Sequence, residues 1–150
     1  MMRFRWWAIS VFALAMAFAE AATVVFLKRL YFPDGWRAPF HPIPPDALRL
    51  EQGRELATLL AIVAVAFAGR PGARQGIARA LWIAGLWDLA YYGCLRVLTP
   101  FPATLADLDV VFLIPSAWIL PVWAPLAGSL AAMAAALLLG RPAATRRVIG

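Results

Sequence analysis

Residues 6–27 read WWAISVFALAMAFAEAATVVFL, 22 residues with a single charged side chain, Glu20. At about 1.5 Å per residue this run makes a helix about 33 Å long, enough to cross a hydrocarbon core about 30 Å thick. Hydrocarbon offers no partner for free backbone N–H and C=O groups, so the run predicts a transmembrane helix. Comparable runs follow at residues 50–68 and 77–97, and a last one ends at Gly140. The expected fold is therefore all-α: one four-helix transmembrane bundle over residues 1–150, with a proline-rich outer loop.

Composition agrees with that class. The chain is 63% hydrophobic and 15% charged, with mean hydropathy +0.75, whereas a soluble domain is about half apolar and about a quarter charged. Disorder is excluded for the same reason. A single cysteine, Cys94, leaves no intrachain disulfide and no multi-cysteine metal site. A single histidine, His41, argues against haem or copper held by paired imidazoles.

Charge orients the bundle, because basic residues near span ends stay cytoplasmic. Arg3 and Arg5, then Arg70, Arg74 and Arg79, then Arg141, Arg146 and Arg147 are eight basic residues in three alternate segments that hold no acid. The opposite side has Lys28, Arg29, Arg37, Arg49, Arg54 and Arg96 against all eight acids, a net of −2. The expectation is a multi-pass protein of the bacterial inner membrane with both termini cytoplasmic. Its net charge of +6 then reflects topology and attraction to anionic membrane lipid, with no nucleic-acid partner. A cleaved signal peptide ending at Ala17-Phe18-Ala19 is the competing expectation, but the apolar run continues to Leu27, longer than a typical signal core.

Between the first two spans, residues 31–48 carry Pro33, Pro39, Pro42, Pro44 and Pro45, which exclude a helix or a central strand. Pro33-Asp34-Gly35 reads as a turn. The interleaved Tyr31, Phe32, Trp36 and Phe40 suggest an ordered cap. Trp6 and Trp7, and again Trp118 and Trp123, fit the two interfacial belts.

Depth is the informative step for function. The uncharged stretch of the second span, residues 56–69, covers only about 21 Å, so its outer end draws in Glu55, Arg54 and Glu51. Glu20 stands about 21 Å above Trp6, and Asp88 about 14 Å above Arg79. Three helices thus offer acids to one layer in the outer half of the membrane. Glu51 and Glu55 share a face, and Arg54 is placed to pair with Glu51. Small residues flank Glu20 (Ala13, Ala17, Ala21) and Asp88 (Ala84, Gly85), which turns both acids toward the bundle.

An intramembrane acid must pair, protonate or ligate. Arg54 with Glu51, Arg96 with Glu55 or Asp88, and the Tyr91 and Tyr92 hydroxyls form one self-neutralising scheme, a purely structural network. Four acids nevertheless face two basic groups at that depth. The candidate site for a cation or proton is therefore Glu20, Glu51, Glu55, Asp88, Tyr91 and Tyr92, with Arg54 and Arg96 as charge partners. A divalent metal, if held, would fall to Glu20, Glu55 and Asp88.

Residues 110–140 are uncharged for 31 positions, about 46 Å as a helix and too long for one crossing. Pro115, Pro121 and Pro125 divide them, so the last span is expected to begin near Pro121. Residues 109–115 are then either a separate interfacial or re-entrant segment, or part of one kinked, tilted helix. Asp107 and Asp109 read as helix-start residues. His41 reads as a solvent-side loop residue, Cys94 as packing, and Trp87 as a ligand-stacking or lipid-facing ring.

Two resemblances add to this. Ala19-Glu20 with Lys28 two turns later resembles the first helix of the small multidrug resistance exporters, which implies a membrane glutamate exchanging protons for cationic drugs. The match covers about ten residues, and the second-span acids, the long outer loop and Asp88 depart from that family. Trp87-Asp88-Leu89-Ala90-Tyr91-Tyr92 and the segment DVVFLIPSAWILPVWAP (109–125) resemble a set of uncharacterised bacterial inner-membrane proteins with a WDxxYY segment followed by DxxFLIPxxWxxPVxAP. That resemblance covers the second half of the chain and implies no activity.

Three functions are expected from the sequence: a cation- or proton-binding membrane protein or transporter; an accessory subunit of a larger membrane complex or homo-oligomer; or a metal-dependent enzyme acting on a lipid or quinone. No HExxH, ExxH, GxSxG or phosphate-binding loop names a reaction.

Overall fold

The structure is a computed structural model and describes residues 6–140. Arg3, Arg5, Arg141, Arg146 and Arg147, on which the orientation partly rests, lie outside the described residues. Within them are four helices, α1 (Trp6–Tyr31), α2 (Pro45–Phe67), α3 (Ala73–Leu98) and α4 (Trp123–Gly140), and two strands, β1 (Leu108–Phe112) and β2 (Trp118–Pro121), between α3 and α4. Of the helices, α1 and α4 are long and apolar enough to cross a membrane. The other two carry charge in their length, with Glu51, Arg54 and Glu55 on α2 and Arg79, Asp88 and Arg96 on α3.

Helix α3 is the centre, packing most extensively on α4 and α1 and less on α2. Small residues permit these close approaches. Ala13, Ala17 and Ala21, spaced one turn apart on α1, are all completely buried. Ile83 and Trp87 of α3 and Ile62 and Ala66 of α2 complete the cluster around Ala13 and Ala17, while Tyr92, Leu95, Phe101 and Val122 pack with Ala21 and Val25. On the other face of α3, a Cβ on Gly85 would stand 2.6 Å from the Ser129 carbonyl oxygen of α4, so that crossing requires glycine.

Local chemistry sets the helix ends. Pro45 opens α2 where a missing N–H costs nothing, and Asp46 follows in the first turn, favourable to the helix dipole. The chain leaves α2 through Gly69 at φ +76°, a left-handed conformation suited to glycine. Arg79, buried on α3, donates to the Ala66 and Ala68 carbonyls and so satisfies acceptors that the end of α2 leaves open.

The all-α expectation needs correction between residues 108 and 121. This stretch is not part of one kinked helix but a separate segment, an antiparallel hairpin pairing Asp109 with Leu120, Val110 with Ile119 and Phe112 with Trp118, with an irregularity between Val110 and Phe112. The physical cause is visible in the residues: β-branched and aromatic side chains favour strands, while Pro115 and Pro121 deny a continuous helix. The hairpin also absorbs the excess length, leaving α4 as 18 residues from Trp123. Asp107 and Asp109 accordingly start no helix.

Candidate functional site

The helices at one end of the bundle, the hairpin and the loop after α1 line a cavity of about 620 Å³. The loop is ordered by its aromatics. Phe32 packs edge-on against Trp36 at 4.6 Å and stacks with His41 at 4.3 Å, and Trp36 stacks with Phe40 at 4.4 Å. Its turn closes with the Gly35 N–H donating to the Phe32 carbonyl, and Gly35 takes φ +111°. His41 is exposed on its outer side yet contributes to the cavity wall.

All six candidate site residues, Glu20, Glu51, Glu55, Asp88, Tyr91 and Tyr92, line this cavity, as does Arg54. Arg54 joins two helices: its Nη1 lies 3.0 Å from Glu20 Oε1 on α1, and its Nε donates to Glu51 Oε2 at 2.9 Å within α2. Glu55 accepts the Leu113 backbone N–H at 3.1 and 3.2 Å, while the Gln52 amide donates to the Leu113 carbonyl at 3.0 Å. That double clamp on one residue ties α2 to the hairpin. Asp88 accepts the Ser129 hydroxyl at 2.7 Å across the α3–α4 crossing that Gly85 makes possible.

Arg96 is the exception among the expected charge partners. It is exposed and donates to the Pro100 carbonyl at 3.4 Å, because at the last turn of α3 its side chain finds the chain's own exit and meets neither Glu55 nor Asp88. Ion pairs to Glu55 or Asp88 are absent among the described residues. Trp87 is 9% exposed and built into the core, so it is not lipid-facing. No group of three or more His, Cys, Asp or Glu side chains among the described residues is placed to hold a metal ion.

Two cavity residues escaped the sequence reading. Asp109 is 2% exposed, and its carboxylate accepts from Trp36 Nε1 at 2.9 Å and from the Tyr92 hydroxyl at 3.1 Å. Burial pushes its pKa above the usual carboxylate range, against the opposing pull of the Lys28 charge and these hydrogen bonds. Lys28 is 8% exposed, with Nζ 3.9 Å from the Phe101 ring centroid and 4.6 Å from that of Trp36. Its burial was legible in principle: Lys28 continues the buried row Ala13, Ala17, Ala21, Val25 at helical spacing. Asp109 was hidden by the helical assignment, since only strand alternation would turn it inward.

Outside the cavity, Asp107 closes the turn before β1, accepting the Thr104 hydroxyl at 2.7 Å and the backbone N–H groups of Ala103 and Thr104. The Thr104 hydroxyl foremost, and then the backbone donors, hold its pKa below the usual carboxylate range.

Fold and site together define a helical protein with a carboxylate-rich chamber at one end of its bundle. Neither a family model, nor a curated protein, nor a solved structure matches this chain.

Proposed function

We propose that this chain is a four-span protein of the bacterial inner membrane, both termini cytoplasmic, whose outer-leaflet cavity binds an organic cation in exchange with protons on its carboxylates. Lipid contact accounts for the large apolar side chains exposed on every helix, among them Phe26 on α1, Leu60 on α2, Val97 on α3 and Leu137 on α4, which are 67%, 61%, 86% and 55% exposed. Four of the nine charged residues of α2 and α3, Glu51, Arg54, Glu55 and Asp88, line the cavity, away from lipid.

The observation that carries the binding role is the pairing of charges inside the chamber. Five acids line it, Glu20, Glu51, Glu55, Asp88 and Asp109, against the two basic side chains Arg54 and Lys28. Glu55 and Asp88 have hydrogen-bond donors but no ion pair among the described residues. Buried carboxylates in that state take a proton or a positively charged ligand. A volume of about 620 Å³ suits an organic molecule with an apolar body, since small-molecule pockets run from about 300 to 1,000 Å³.

Calorimetric titration of the full-length protein in detergent with octylammonium tests this. Saturable one-to-one binding is expected, weakened at least tenfold by Asp88→Asn and by Glu55→Gln, both of which keep an acceptor for the existing hydrogen bond. Absence of saturable binding to the wild type, or unchanged affinity in both variants, would overturn the proposal.

A further inference from the structure

Among the described residues, two buried side-chain polar atoms lack a hydrogen-bond partner, Lys28 Nζ and Trp87 Nε1, and both belong to residues that line the chamber. Both atoms are donors, in a chamber that also holds five carboxylates. The ammonium of Lys28 is the stronger case. The faces of Trp36 and Phe101 accommodate its charge, but its three N–H donors have nothing to donate to.

Asp109 does not fill that role. Its two oxygens are engaged by Trp36 and Tyr92, and the ion pairs among the described residues are those of Arg54 with Glu20 and Glu51. Along α1, Lys28 stands eight residues beyond Glu20, a rise of about 12 Å. Val24 and Leu27 line the chamber between those two levels. The chamber therefore has the α2 acids and Glu20 toward one end, an apolar stretch of α1 between, and Lys28 beside the already engaged Asp109 at the other end.

Resting on the cation-binding role proposed above, we infer that Lys28 forms a second pole that receives an oxyanion, so that the ligand is an amphipathic chain molecule with an amine at one end and a carboxylate at the other. The amine meets Glu55 and Asp88, the methylene chain lies against the apolar middle, and the carboxylate accepts from the Lys28 ammonium. A charge-assisted bond to a buried ammonium is strong enough for this end to set selectivity.

A pair of probes that differ only at that end provides the test: octylammonium and ω-aminooctanoate, titrated into the full-length protein in detergent. The wild type is expected to bind ω-aminooctanoate at least fivefold more tightly than octylammonium. In Lys28→Met that preference disappears while octylammonium still binds. Equal affinities in the wild type overturn the inference without recourse to any variant, and so does a preference that survives in Lys28→Met. Octylammonium binding without a Lys28-dependent preference refutes this inference alone. Failure of both probes to bind refutes the cation-binding role and this inference with it.

Discussion

Replacing Arg54 by glutamine removes the one guanidinium that holds α1 to α2 through the carboxylates of Glu20 and Glu51. At 3.0 Å and an effective dielectric of about 20, each pair attracts by about 5–6 kcal/mol before desolvation is counted. The Arg54 and Glu20 side chains keep 27% and 15% of their exposure, so solvent screens a large part of that. Breaking a fully buried pair by removing one partner costs about 3–5 kcal/mol, and with this partial exposure Arg54→Gln is expected to lose about 2–4 kcal/mol. Removing the orphaned acid as well should recover part of the loss, so the double variant with Glu20→Gln should be more stable than the two single effects added together. The coupling is expected to be at least about 1 kcal/mol, the usual sign of direct contact. Reversible unfolding in mixed micelles with increasing dodecyl sulfate measures all four proteins. Strict additivity, or a loss below about 1 kcal/mol in Arg54→Gln, would refute the role given to this bridge.

At the α3–α4 crossing, Gly85→Ala sets a methyl against the Ser129 backbone and should cost about 1–3 kcal/mol as overpacking, while Gly93→Ala on the same helix meets nothing and should be neutral or slightly stabilising. The same unfolding assay separates them, and equal effects would remove the case for a tight crossing. Asp107 has a folded pKa below its unfolded value, so it contributes stability above the unfolded pKa of about 3.9 and loses it as pH falls through the folded value. Asp107→Asn should therefore flatten the stability profile below about pH 4, and an unchanged acid limb would refute the turn's hydrogen bonding as the cause.

Much of the chamber could be read from residue order alone. The height of Glu20, Glu55 and Asp88 along their helices is a matter of counting residues at fixed rise, and the buried face of α1 follows from the alanine spacing. The prolines of residues 33–45 excluded a helix there without reference to anything distant. Partner choice was a different matter. Arg96 has the charge to meet Glu55 or Asp88, yet it lies at the end of α3 and finds the Pro100 carbonyl instead. Glu55 is matched by a backbone N–H of the hairpin, a donor that carries no signature in the sequence.

The sequence by itself determined the helical segments, the uneven distribution of charge among them and the local surplus of acids over bases where the chamber forms, because hydrophobicity and periodicity are local properties of the chain. The tertiary structure alone decided that Trp36, 73 positions away, and Tyr92 both donate to the Asp109 carboxylate, and that Lys28 is buried without a hydrogen-bond partner. Those contacts depend on how a loop and a hairpin fold back over the helix ends, and no spacing rule within one element specifies a meeting between distant ones.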